Sequence, residues 1–262
     1  LNWTTVSGID LSANQDVLSI NKLEAGAIGI VTIDDIYKTI DNGATWTSIL
    51  GELTATHNVN DPYWARMAKI YLSPSNEYYF YDTQSLYKST DNGATWSSLN
   101  MSLSQDLKNG TFSINDLKWY NSKMLIATEN NGVLESVDDG ATLTTFQENK
   151  GFYQTYYNDN LVIVEDVKLF INNQGLNKVT RTSDDGQTYT NTLEDTYVRG
   201  VKKLLNGDLI AYGEKFQLST DKGAEWIDLG SGLNAFTSYL TVPKVASGLY
   251  YAVTDPGGSW MF

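Results

Sequence analysis

Apolar and β-branched residues in this chain come in short runs, rich in Val, Ile, Tyr, Thr and Trp and bounded by Gly, Asn and Asp. Nowhere do they hold a 3.6-residue period over several turns, so the pattern predicts strands joined by tight turns and at most short helices. The runs group in fours. The first three groups are 17–24, 27–33, 36–40 and 45–50; then 65–72, 77–82, 85–90 and 95–100; then 114–120, 123–128, 132–137 and 142–147. The fourth reads 153–164, 167–172, 177–182 and 188–193, and the fifth 197–205, 208–213, 216–220 and 225–229. After residue 229 three more runs follow, 238–242, 249–254 and 258–262.

A repeated nonapeptide sets this grouping. Its fullest form is Lys88-Ser89-Thr90-Asp91-Asn92-Gly93-Ala94-Thr95-Trp96, and Lys38 to Trp46 is identical to it from the Asp through the Trp. Degenerate copies run from Glu135 to Leu143, Arg181 to Tyr189 and Leu218 to Trp226. Their Asp residues stand at 41, 91, 138, 184 and 221, a period of about 40 to 50 residues that suits propeller blades of four strands each. Each copy falls between the third and fourth strand of its group.

The two ends of the chain complement each other. The last group has three strands, and Asn2-Trp3-Thr4-Thr5-Val6 resembles Thr45-Trp46-Thr47-Ser48-Ile49, the fourth strand after a motif copy. The expected architecture is therefore all-β: a single six-bladed β-propeller over 1–262, built of four-stranded antiparallel blades. Its sixth blade joins residues 237–262 to residues 1–7, so that the N-terminal strand closes the ring and removes two open sheet edges.

Composition narrows the chemistry. The chain has no Cys and one His, which excludes disulfides, thiolate catalysis and Cys- or His-cluster metal sites. A net charge of −13 disfavours nucleic acid and anionic membranes, because both reward clustered Lys and Arg. No run approaches the roughly 18 apolar residues of a membrane span. A start at Leu1 without a leader reads as a processed form or a piece of a longer polypeptide, so any targeting signal lies outside the sequence.

Within the nonapeptide, Asp41, Asp91, Asp138, Asp184 and Asp221 are expected to accept hydrogen bonds from backbone N–H groups two or three residues on. Gly43, Gly93, Gly140, Gly186 and Gly223 supply positive φ. Trp46, Trp96 and Trp226, with Tyr189 and Leu143 as substitutes, are expected to tuck into their blade from its outer strand. Paired acids such as Asp138-Asp139 and Asp184-Asp185 suggest calcium, but the loop lacks the alternating acids and terminal Glu of a calcium hand, and a carboxylate held by turn amides is a poor ligand. No metal and no cofactor is expected.

The motif resembles the Asp-box, or BNR repeat, of the sialidase-like and Ycf48-like propeller proteins: Ser/Thr-x-Asp-x-Gly-x-Thr-Trp between the third and fourth strands of a blade. The resemblance implies that these loops lie on the periphery, away from the ligand face. A site is then expected at the other end of the blades, on the turns from second to third strand and the links between blades. Candidates there are Asp34, Asp82, Glu129, Asn172 and Glu214, the aromatic residues Trp64, Tyr153 and Tyr197, and the cations Arg66 and Arg199. Acids, amides and aromatic rings suit sugar recognition; equally, they are what exposed turns and rim packing contain.

Sialidases use three Arg to clamp a carboxylate, with a Tyr–Glu nucleophile and an Asp acid/base. This chain has three Arg in all, and Arg181 opens a nonapeptide on a third strand, far from any such clamp. The Phe-Arg-Ile-Pro signature is absent as well. Similarity to the Asp-box xyloglucanases implies a neutral-glycan hydrolase with two carboxylates across a cleft, but those enzymes pair two propellers. The Ycf48-like proteins carry a basic patch, opposite in sign to this chain. The reading that follows is a non-catalytic module, secreted, cell-surface or periplasmic, probing glycan or protein ligands as a monomeric domain. A glycoside hydrolase is the alternative.

Overall fold

The computed structural model describes residues 9, 17–33, 35–51, 53, 68–81, 85–99, 114–128, 132–147, 161–172, 178–194, 196–229, 237–241 and 251–254. Among them the chain forms strands and turns and no α-helix. Two compact units are present: Leu1–Ile114 with Asn121–Met124 and Ser136–Leu143, and Asn115–Tyr120 with Leu125–Glu135 and Thr144–Phe262.

In the first unit, one four-stranded sheet is β1 (Val17–Lys22), β2 (Ile28–Thr32), β3 (Ile36–Thr39) and β4 (Thr47–Ser48), and the next is β5 (Lys69–Leu72), β6 (Tyr78–Tyr81), β7 (Leu86–Ser89) and β8 (Ser97–Ser98). Strands follow chain order and every neighbour is antiparallel. The second strand of each sheet is covered on both faces, which is why β6 reads Tyr-Tyr-Phe-Tyr without alternation and is buried throughout. Leu23, Val31, Ile36, Ile49, Ile70 and Phe80 form the core, with Trp96 packed against it.

Tyrosine is tolerated there because its phenol finds a partner. Tyr78 Oη donates to the Glu24 carboxylate, which also pairs with Lys38. Burial pushes the Tyr79 phenol up to about 12.

The third group of strands is β9 (Ile114–Tyr120), β10 (Lys123–Thr128), β11 (Val133–Ser136) and β12 (Thr144–Gln147). The second unit further holds β13 (Leu161–Val164), β14 (Val167–Asn172), β15 (Lys178–Thr182) and β16 (Thr190–Leu193), then β17 (Val198–Lys203), β18 (Leu209–Gly213), β19 (Gln217–Ser219) and β20 (Ile227–Asp228). A two-stranded sheet, β21 (Thr237–Thr241) with β22 (Tyr251–Thr254), ends the described chain. Val164, Leu169, Ile171, Val201 and Leu209 are among the apolar residues that fill this unit, with Trp226 against them.

Five four-stranded antiparallel sheets thus match the five sequence groups. Three outer strands, β4, β8 and β20, are shorter than the sequence runs suggest. Each has two paired residues, extended by one further backbone bond: Ile49 to Ile36, Leu99 to Leu86 and Leu229 to Phe216, at 2.8 to 3.0 Å. In β12 and β16 a β-bulge lengthens the strand instead, at Phe146 and Thr192. Residues 1–7 and 258–262, on which ring closure turns, lie outside the described residues.

Candidate functional site

The nonapeptide loops are the most regular feature of the molecule, and their hydrogen bonds define what they are free to do. In each, a Ser or Thr at the end of the third strand acts as a hub. Its hydroxyl (Thr39, Ser89, Ser136, Thr182 or Ser219) accepts from the N–H of Gly43, Gly93, Gly140, Gly186 or Gly223 at 2.7 to 3.0 Å. The same hydroxyl donates to the loop Asp at 2.7 to 2.8 Å. The Asp carboxylate reaches four residues forward, to the N–H of Thr45, Thr95, Thr142, Thr188 or Glu225 at 2.8 to 3.0 Å; in the fifth loop it also takes the Ala224 N–H, three residues on as the sequence suggests, at 3.0 Å. Its second oxygen takes the Thr hydroxyl in the first four loops, at 2.5 to 2.6 Å. In the fifth loop Glu225 replaces Thr and that bond is lost; the backbone N–H serves both oxygens.

These donors stabilise the ionised form. The Thr45 and Thr188 hydroxyls, with the amides of the same residues and the Thr39 and Thr182 hydroxyls, hold Asp41 and Asp184 at about 2. Asp91 and Asp138 are lowered by the equivalent groups. At Asp221 burial pushes upward, and the Glu225 amide and Ser219 hydroxyl outweigh it.

The aromatic residue does something the sequence conceals. Trp96 and Tyr189 pack on Phe80 and Phe170 of their own sheets, as expected, and the polar atom of the ring also reaches the outer strand of the preceding sheet. Trp96 Nε1 donates to the Ile49 carbonyl at 2.6 Å, Tyr189 Oη to the Phe146 carbonyl at 2.6 Å, and Trp226 Nε1 to Thr192 Oγ1 at 3.2 Å. Trp46 instead donates to Gly43 in its own loop. The loop glycine faces the same outer-strand residue. A Cβ on Gly93 would lie 2.9 Å from Ile49, one on Gly140 3.0 Å from Leu99, and one on Gly186 3.0 Å from Phe146. Residues 49, 99, 146 and 192 each stand three places after the aromatic position of their own repeat, so the same surface of these four outer strands receives the next loop. Lysines reinforce the seams: Lys88, paired with Glu77 of its own repeat at 2.8 Å, reaches Asp139 of the next loop at 3.3 Å, and Lys222 pairs with Glu165 and Asp166 of the preceding repeat.

At the other end of the sheets the turns carry their own locks. Asp35 Oδ1 accepts from the N–H of Ile36 at 2.7 Å and from Ser48 Oγ at 2.8 Å, and its N–H donates to Thr32 Oγ1 at 3.0 Å. Thr128 closes the third turn through N–H and hydroxyl bonds to the Gly132 carbonyl, both 2.9 Å. In the fifth repeat, Glu214 N–H donates to the Tyr197 carbonyl at 2.9 Å, and Glu214 Oε2 accepts from the Tyr197 N–H at 3.3 Å. This reciprocal pair leaves Glu214 exposed and Tyr197 half-buried.

Of the residues the sequence nominates for ligand binding, the described chain thus brings Tyr197 and Glu214 together, with Arg199 two positions after Tyr197, in β17. Asn172 ends β14. Asp34, Trp64, Arg66, Asp82, Glu129 and Tyr153 lie outside the described residues. Arg181 is held at the nonapeptide end, donating Nε to the Lys222 carbonyl at 3.2 Å. One buried acid was missed by the sequence reading: Asp116 on β9, fully buried, accepts from the N–H groups of Leu117 at 2.9 Å and Leu161 at 3.4 Å. It sits inside a strand run, Ile-Asn-Asp-Leu-Lys-Trp-Tyr, away from the turns where a site was expected.

No family model matches the chain, and no curated protein matches it in sequence. Solved structures do match. A GH74 enzyme of Niastella koreensis is 22% identical with a TM-score of 0.55, covering 79% of this chain and 30% of its own. The GH74 xyloglucanase of Xanthomonas campestris has a TM-score of 0.56 at 11% identity, covering 84% of this chain and 39% of its own. The chain has a β-propeller fold. The extracellular domain of a one-component system of B. thetaiotaomicron is also similar, with a TM-score of 0.53 at 10% identity over 72% of this chain and 25% of its own. This chain spans less than half the length of each. Among the described residues, no helix is long and apolar enough to cross a membrane.

Proposed function

We propose that the chain is a six-bladed Asp-box propeller acting as a non-catalytic binding module, with its sixth blade assembled from residues 237–262 and residues 1–7. Its ligand, a glycan or a protein, is taken on the face opposite the Asp-boxes. The observation that carries this reading is the saturation of the Asp-box loops: their carboxylate oxygens accept from loop donors, and their aromatic residues and glycines are largely engaged by neighbouring strands. What is left for a ligand is the end bearing Tyr197 and Glu214. Similarity in fold to extracellular sensor and glycan-active proteins supports a secreted, cell-surface or periplasmic setting. It also supports the glycan class over the protein class.

A glycoside hydrolase is the second reading, favoured specifically by the likeness to the two GH74 enzymes. A glycan array run beside a panel of fluorogenic glycosides separates the two. Array binding without turnover supports the module; release of fluorophore supports the hydrolase. Silence in both assays would remove the glycan class and leave a protein ligand.

A further inference from the structure

The innermost strand of the fifth repeat contains a β-bulge. Val198 pairs with Gly213 and Gly200 with Tyr212, so Arg199 is the extra residue. The first repeat has the same irregularity at the same register: Val17 pairs with Thr32 and Ser19 with Val31, which makes Leu18 the extra residue. Leu18 packs against the apolar core of its unit. The fold therefore accommodates a leucine at this position, and in the fifth repeat a guanidinium stands in its place, half-buried. The position thus takes a charged residue in one repeat and an apolar one in another, so its side chain is open to a role beyond filling the core.

Its surroundings are also unusual. Gly213 has φ +153°, and a Cβ there would lie 2.2 Å from the Tyr197 carbonyl oxygen and 2.9 Å from the Arg199 nitrogen. Only glycine lets the two strands close this tightly. The closure in turn allows Glu214 and Tyr197 to exchange their two hydrogen bonds, fixing the Glu214 carboxylate through one oxygen and leaving the side chain exposed. Tyr197, just before β17, Arg199 in its bulge and Glu214 in the turn after β18 thus stand close together, bringing an aromatic residue, a planar cation and a planar anion to one end of the sheet.

We propose that Tyr197, Arg199 and Glu214 form a subsite for a neutral hexose ring. The inference rests on the binding function proposed above and names its ligand class. Charge decides the class. An anionic ligand would meet Glu214 and a chain of net charge −13; a cationic ligand would meet Arg199. Vicinal sugar hydroxyls carry no charge and both donate and accept. They satisfy a guanidinium and a carboxylate together, while the apolar face of the ring covers the Tyr197 ring.

The test is calorimetric titration of the full chain with neutral α- and β-linked disaccharides of glucose, galactose and mannose. Arg199→Leu is the decisive variant, because the fold already carries leucine at the matching position of the first repeat; circular dichroism and thermal unfolding check that it folds. For any disaccharide the wild type binds, Arg199→Leu and Tyr197→Ala are expected to weaken binding about tenfold or more. Glu214→Gln, which keeps an oxygen for the Tyr197 N–H, is expected to weaken it less. Wild-type affinity in folded Arg199→Leu would overturn the subsite while leaving the binding module intact. No binding by the wild type to any disaccharide, with positive signals from other glycans on the array, would likewise overturn the neutral-hexose assignment alone. Silence in both would remove the glycan reading itself.

Discussion

The indole of Trp96 donates its N–H to the carbonyl of Ile49 at 2.6 Å, linking residues 47 positions apart. This bond turns a local loop into a latch between one repeat and the next. Replacing Trp96 with Phe keeps most of the ring and leaves the carbonyl without this donor, so a loss of about 1 kcal/mol is expected in denaturant unfolding. Trp96→Ala also removes the contact with Phe80 and should cost about 3 kcal/mol or more. A Phe variant as stable as the wild type would show that the latch is packing alone.

Gly93 has φ +89° and Gly26 has φ +81°, but a Cβ meets Ile49 at 2.9 Å in the first case and nothing within 4 Å in the second. Gly26→Ala therefore isolates the conformational term, about 1 kcal/mol. Gly93→Ala adds overpacking and should cost a further 1 to 3 kcal/mol or so. Equal losses in the two variants would mean that the outer strand yields freely.

Acid should loosen the repeats together. Asp41 and Asp184 titrate at about 2 in the folded chain, against 3.8 for an unstructured Asp. A lowered folded value means that the stabilisation is complete above the unfolded value and is lost as pH falls through the folded one. The thermal midpoint is thus expected to hold from pH 7 to about 5 and to fall steeply between pH 4 and 2. Asp184→Asn should lower the midpoint at pH 7 and flatten that acid limb.

Lys168 is fully buried, with its ammonium 3.6 Å from the centre of the Tyr120 ring and 2.9 Å from Asp185. Lys168→Ala should destabilise by about 2 to 4 kcal/mol, through lost packing and the lost contacts with Tyr120 and Asp185. A double-mutant cycle with Tyr120→Leu should return a coupling of about 1 kcal/mol or more. A coupling of zero would remove the cation–π account.

Ring closure makes its own demand. If residues 1–7 complete the sixth blade, deleting them exposes a strand edge and should lower the thermal midpoint sharply. An unchanged midpoint would contradict the closure.

The repeat, the strand grouping and the position of the loops were legible because they depend on local chemistry: turn glycines, an Asp beside a Thr, β-branched runs. What the loops are for was not. The distance from Trp96 to Ile49 is set by how one sheet packs on the next, and no spacing in the sequence encodes it. The hydroxyl of Ser89 looks like ordinary strand polarity until it is seen bridging Gly93 and Asp91. At the candidate site, Tyr197 and Glu214 could be nominated from composition. That Arg199 occupies a bulge shared with Leu18 required the register of the strands.

The most direct measurement of the central claim is hydrogen exchange on the full chain with and without the glycan or protein it binds. Amides near residues 197–200 and 213–216 are expected to slow on binding, while those of the loops at 41–46, 91–96 and 184–189 keep their free rates. Protection concentrated in the nonapeptide loops, with none around Tyr197 and Glu214, would contradict the assignment of the binding face.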